Sequence, residues 1–151
     1  MSIFPTKILL ASDGSREAEQ AARTAADLAN STNSALHLIS VPDSTYHAVD
    51  LRYSYATYEE ALEAVKGETR KVLDEQVRKI EEAGGAVEEA HPRIDERPER
   101  AIIHLAEELE VGLIVMGSRG LGGVRRALMG SISDSVVRHA HCPVMIVRPE
   151  K

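Results

Sequence analysis

Residues 117–131, GSRGLGGVRRALMGS, hold five of the chain's ten glycines together with Arg125 and Arg126. They follow directly on the apolar run VGLIVM of residues 111–116. Glycine admits positive φ and lets neighbouring backbone N–H groups converge, so Gly117 and Gly120 suit a tight turn around an anion. Gly130 and Ser131 then open a helix, whose first N–H groups have no intrahelical partners and form an anion site. Arg125 or Arg126 adds a bidentate phosphate donor, and Ser131 and Ser133 add hydroxyls. The combination suits a di- or triphosphate. A glycine-rich loop that binds nothing is the competing reading.

Three familiar phosphate or acyl-transfer signatures are absent. No G-x-x-x-x-G-K-[ST] occurs, and no G-x-G-x-x-G follows the first apolar run. No G-x-S-x-G elbow is found either, which weakens a hydrolase reading. A second site of suitable chemistry, Ser12-Asp13-Gly14-Ser15, ends the aliphatic run KILLAS of residues 7–12.

Both segments need elements to hold them. KILLAS is continuous enough for a strand buried on both faces. Ser15 is placed to cap a helix with Glu17 and Glu19 in its first turn, where the helix dipole favours anions. Ala18, Ala21, Ala22, Ala25, Ala26 and Ala29 follow at helical spacing and give that helix a smooth face. A second strand is expected over 35–41, ending at Pro42. Residues 42–57 are irregular, and Tyr46, Tyr53, Tyr55 and Tyr58 lie in or beside them. A lid over a ligand and simple loop packing both fit that cluster.

A long charged helix is expected over 58–83, closed by Gly84-Gly85. AVEEAHPRI (86–94) reads as a weak edge strand. Pro98 opens the next helix, and VGLIVMG (111–117) is the fourth strand. A short helix over 131–139 and the strand CPVMIV (142–147) complete the chain. Strands alternating with helices imply one doubly wound α/β domain over residues 1–151, with a parallel sheet covered on both faces. In such sheets ligands bind beyond the carboxyl ends of the strands, where the winding reverses.

The bulk numbers agree. A length of 151 residues suits one domain, with 43% hydrophobic and 28% charged residues. The net charge of −6 argues against general binding to nucleic acid or anionic membrane. A single cysteine, Cys142, forms no intrachain disulfide. With no signal-peptide pattern and no run of about 20 apolar residues, a cytoplasmic setting is expected. The pair His139 and His141 beside Cys142 lacks a second ligand cluster for structural zinc.

Gly117-x2-Gly120-x9-Gly130-Ser131 matches the G-x2-G-x9-G-[ST] signature, and here the chain resembles the ATP-binding subgroup of the universal stress protein family. KILLASDGS, ALHLISV and SISDSVVRHAHCPVMIVRP extend that resemblance over essentially the whole length. It implies a Rossmann-like, five-stranded parallel sheet of order 3-2-1-4-5, with Ser12-Asp13 beside Gly117. It implies that Asp13 contacts the ribose and lies near the Mg2+ carried by the phosphates. Ala11 and Val41 would line the adenine, Met116 and Gly117 would flank the nucleoside, and Gly120, Gly130, Ser131, Ile132 and Ser133 would hold the phosphates; which of Arg125 and Arg126 joins them stays open. Ala11 stands where many relatives have proline.

The implied activity is ATP-dependent regulation in a stress response, with at most slow hydrolysis, since no general base is evident. A metal-dependent nucleotide hydrolase and a dimeric module without nucleotide are the alternatives. The charge-free strand PVMIV (143–147) needs a cover if it lies at a sheet edge, and a second copy of itself supplies one. A homodimer through Pro143 to Val147 is the expectation, which the resemblance shares.

Overall fold

The computed structural model describes residues 2–40, 57–94, 96–118 and 130–148. Strands and helices alternate throughout them: β1 (Lys7–Ser12), α1 (Arg16–Thr32), β2 (Ala35–Ser40), α2 (Tyr58–Glu82), β3 (Glu89–Pro92), α3 (Pro98–Leu109), β4 (Leu113–Gly117), α4 (Ser131–His139) and β5 (Val144–Val147). All five strands are parallel in one sheet of order β3-β2-β1-β4-β5. This is the doubly wound Rossmann-like topology expected above.

Local chemistry accounts for the element ends. The Ser15 hydroxyl accepts from the Ala18 N–H at 3.2 Å and starts α1. Thr57 does the same for α2 through the Glu60 N–H at 3.1 Å. Pro98 occupies the first turn of α3, where a missing N–H costs nothing. At the far end of α2, the Gly84 and Gly85 N–H groups bond to the Glu81 and Ile80 carbonyls, at 3.0 and 2.9 Å. Gly84 has φ +97°, so this reversal needs a residue without a side chain. β2 is described as far as Ser40, and Val41, the last residue of the expected strand, lies outside the described residues.

The strand alternation sorts the core into two layers. Ile8, Leu10, Leu36, Leu38, Leu113 and Val115 pack against α1 and α2. Leu9, Ala11, Ile39, Ile114 and Met116 pack against α3 and α4. The alanine face of α1 is buried at Ala18, Ala21, Ala22, Ala25 and Ala29, while Ala26 is half-buried. Small residues let this helix lie close to the sheet. α2 buries the stripe Ala61, Val65, Thr69, Leu73, Gln76 and Ile80, and its outer face carries pairs such as Arg78 with Glu75 and Glu82, at 2.7 and 2.8 Å. Such exposed, solvent-screened pairs add little stability. No described helix is long and apolar enough to cross a membrane.

Candidate functional site

The carboxyl ends of β1 and β4 lie side by side. Ala11 is in register with Met116, which sets Ser12 and Asp13 at the level of Gly117 and beyond. β2 leaves β1 for one edge and β4 leaves it for the other, so this is the point where the winding reverses. Ala11 and Met116 are buried on the α3 and α4 side, and Gly117 is half-buried at the rim.

The turn after β1 is closed by its own side chains. The Ser12 hydroxyl is buried, donates to Gln76 Oε1 at 3.3 Å and accepts from the Gly14 N–H at 3.3 Å. Asp13 Oδ1 accepts from the Ser15 N–H at 2.9 Å. Gly14 has φ +82°, and an added Cβ would meet Val72 Cγ1 at 3.3 Å. The positive φ favours glycine there, and the nearby valine leaves a side chain little room.

The turn after β4 is tied differently. The Ser118 N–H donates to the Val147 carbonyl at 3.0 Å, fixing the end of β4 to β5. The Ser118 carbonyl accepts both the Gly130 N–H and the buried Ser133 hydroxyl, the latter at 2.8 Å. These bonds bring residues 118 and 130 together, so the two ends of the glycine segment meet at the base of α4. Gly130 is the N-cap of α4 and provides no side-chain cap. The first intrahelical bond runs from the Asp134 N–H to the Gly130 carbonyl at 2.9 Å. The N–H groups of Ser131, Ile132 and Ser133 precede it, at the positive end of the helix dipole. Ser131 and Ile132 are exposed there.

The expected site residues thus divide. The fold brings Ala11, Ser12, Asp13, Met116 and Gly117 to one end of the sheet, and hydrogen bonds join Gly130 and Ser133 to the residue following Gly117. The hydroxyls of Ser12 and Ser133 are turned into the fold, where they position backbone. Val41, Gly120, Arg125 and Arg126 lie outside the described residues, as do Tyr46, Tyr53 and Tyr55. Tyr58 is exposed at the start of α2. Burial raises the Cys142 thiol above its ordinary range, which keeps it protonated and unsuited to nucleophilic work.

The universal stress protein family model matches residues 5–148. The chain belongs to that family. A Staphylococcus haemolyticus chain assigned to the universal stress proteins is 34% identical over 148 residues, covering 95% of this chain and 85% of the relative. Among solved structures, the universal stress protein UspA from Lactobacillus plantarum is 27% identical with a TM-score of 0.75, over 97% of this chain and 100% of its own. Two others share the fold at lower identity. A universal stress protein solved in complex with cAMP is 22% identical, with a TM-score of 0.67 over 97% of this chain and 99% of that one. One from Archaeoglobus fulgidus in complex with dAMP is 23% identical, with a TM-score of 0.64 over the same shares.

One group of side chains escaped the sequence reading. His37 on β2 and Glu89 and His91 on β3 lie together on the face that packs α3. The sequence separates His37 from Glu89 and His91 by 52 and 54 residues, and only the parallel register His37–Glu89 and Ile39–His91 reveals the cluster. Alternation on an apolar strand hinted at it, since His37 stands at an inward position between Leu36 and Leu38.

Proposed function

We propose that this single domain binds an adenine nucleotide across the ends of β1 and β4 and acts as a nucleotide-responsive regulatory protein of the stress response. The observation that carries the reading is the start of α4. Gly130 has φ −73° and ψ 167°, a conformation that any residue adopts. Glycine is therefore not needed there for the backbone; what it provides is a helix start with no side chain over the first N–H groups. The donor set, backbone N–H groups without a side-chain cap, is that of a phosphate cradle. The cAMP and dAMP complexes of two fold relatives support the adenine part of the reading.

With ATP as ligand, the N–H groups of Ser131, Ile132 and Ser133 and the Ser131 hydroxyl hold phosphate oxygens, with Gly120 and Arg125 closing the cradle. Ala11, Val41, Met116 and Gly117 line the nucleoside. Asp13, together with Ser12 at the end of β1, faces the ribose and the Mg2+ borne by the phosphates. That ion supplies charge neutralisation between phosphate oxygens. The chain's own groups orient the nucleotide, and none of the described residues there is placed as a general base. We also propose that the outer edge of β5, Pro143 to Val147, pairs with the same strand of a second copy. β5 is the last strand of the sheet, and both its faces are already used in packing the core. Sedimentation at two concentrations tests this, and a monomer at both would refute it.

The deciding experiment is the thermal midpoint of nucleotide-free protein with and without Mg-ATP, beside AMP and a Gly130→Val variant. At a ligand concentration about 100 times Kd, binding adds about 2.7 kcal/mol. For a chain of this length that is a rise on the order of 5–10 °C. A rise with ATP that Gly130→Val abolishes supports the site. No rise with either nucleotide leaves the dimeric module as the better reading.

A further inference from the structure

The buried histidine pair between β2 and the edge strand β3 has no part in the nucleotide site. His37 and His91 are 4% and 7% exposed, and His37 Nδ1 lies 3.2 Å from His91 Nε2. Glu89 Oε2 stands 3.8 Å from the same His91 nitrogen. One ligating atom from each of the three residues falls within 4.8 Å of the other two. We propose that His37, His91 and Glu89 form a binding site for a divalent transition ion of the Zn2+ class, which clamps β3 to β2.

Three arguments support the assignment. First, two imidazole nitrogens bound to one tetrahedral ion at roughly 2.0–2.1 Å must be about 3.3 Å apart, close to the observed separation. The Glu89 carboxylate must swing inward to complete the set, which its 63% exposed side chain is free to do. Second, the ligand types select the ion. Two imidazoles and one carboxylate suit Zn2+ and its neighbours and disfavour Mg2+ and Ca2+, which take oxygen ligands. Three protein ligands also leave a fourth position for water. Third, both rings are buried side by side, so their nitrogens are already placed and little side-chain freedom is lost on binding.

The remaining nitrogen of His37 sets the strength of the site. His37 Nε2 is buried and has no hydrogen-bond partner among the described residues. Without an ion, the cheaper arrangement puts the proton on Nδ1, donating to His91, and leaves Nε2 as a bare lone pair. Binding an ion at Nδ1 moves the proton to Nε2, where it becomes an unpaired buried donor. Metal-bound histidines ordinarily donate that second N–H to an acceptor, and its loss costs about 10–100-fold in affinity. The site is therefore weaker than a fully supported zinc centre, and its occupancy follows the supply of metal.

The test uses nucleotide-free, chelator-treated full-length protein titrated with zinc chloride. Bound metal is counted at equilibrium by dialysis against defined free zinc, and Co2+ absorption reports the geometry. The expected result is one Zn2+ per chain, an intense tetrahedral Co2+ spectrum and a raised thermal midpoint, with none of these produced by Mg2+. His91→Gln should weaken binding by more than the 10–100-fold quoted above, and Glu89→Gln by about 10-fold or more. A His139→Gln/His141→Gln double variant, at the exposed end of α4, should bind normally. Binding of less than a tenth of an equivalent would overturn the proposal, and so would loss of binding in the double variant. Glu89→Gln alters only an exposed carboxylate. If His91→Gln does not fold, unchanged affinity in Glu89→Gln alone refutes the three-ligand site.

Discussion

The starts of α1 and α4 have almost the same backbone and opposite chemistry. Ser15 has φ −74° and ψ 169°, and Gly130 has φ −73° and ψ 167°. Both follow central strands and both stand at the carboxyl end of the sheet. At α1 the cap hydroxyl takes a helix N–H, Asp13 takes the Ser15 N–H, and Ser12 takes that of Gly14. At α4 the cap has no side chain, and the nearby Ser133 hydroxyl donates to the Ser118 carbonyl instead. One junction satisfies its donors internally. The other is anchored through Ser118 and, among the described residues, has no side-chain cap on its N–H groups. A protein that needed only to fold would gain a few tenths of a kcal/mol by finishing the second like the first.

The strongest way to break this contrast is to close α4 with charge. Gly130→Asp puts a carboxylate at the helix N-terminus, where it caps N–H groups and repels phosphate. The Mg-ATP-induced rise in midpoint, on the order of 5–10 °C, is expected to vanish. The variant without ligand should be at least as stable as the parent. Differential scanning fluorimetry reads both quantities. A full rise with ATP in this variant would place the phosphates elsewhere.

The next largest effect should come from Ser133→Ala. It removes the buried 2.8 Å bond to the Ser118 carbonyl, which keeps only the Gly130 N–H as donor. The expected cost is about 1 kcal/mol in urea unfolding, with a weaker affinity for ATP because the start of α4 is less firmly placed. A loss of affinity without loss of stability would instead mean that the hydroxyl turns to the ligand. Ser15→Ala should cost a similar or smaller amount, about 0.5–2 kcal/mol by loss of the cap, and leave ATP affinity unchanged. If it weakened ATP binding as much as Gly130→Asp, the two junctions would not be functionally distinct.

Much of this contrast was legible from residue types, because both junctions are local. Ser15 as a cap, Pro98 in a first turn and the start of α4 at Ser131 follow from chemistry within four residues. The sheet order came from the family resemblance, since periodicity does not encode which strands are neighbours. What stayed hidden depended on where side chains point after long-range pairing. Ser133 was expected to donate to phosphate, yet its hydroxyl meets Ser118, fifteen residues back. Ser12 meets Gln76 on a helix sixty-four residues away. The cluster of His37, Glu89 and His91 depends wholly on the register of β2 with β3.

The smallest expected effect is the most exacting test of the comparison. Gly130→Ser makes the α4 junction a copy of the α1 junction, since the backbone there already matches that of Ser15. A serine cap exceeds glycine by only a few tenths of a kcal/mol, so the unliganded variant should gain about that much in urea. The new hydroxyl then competes with phosphate for the N–H groups of Ile132 and Ser133. It is neutral and mobile, so a bound phosphate should displace it at a modest cost in affinity. ATP binding should fall several-fold, far less than in Gly130→Asp. A stability gain with unchanged affinity would mean that those N–H groups do not hold the phosphates. A loss as complete as that from aspartate would point to crowding by any side chain, making close approach, rather than free donors, the reason for Gly130.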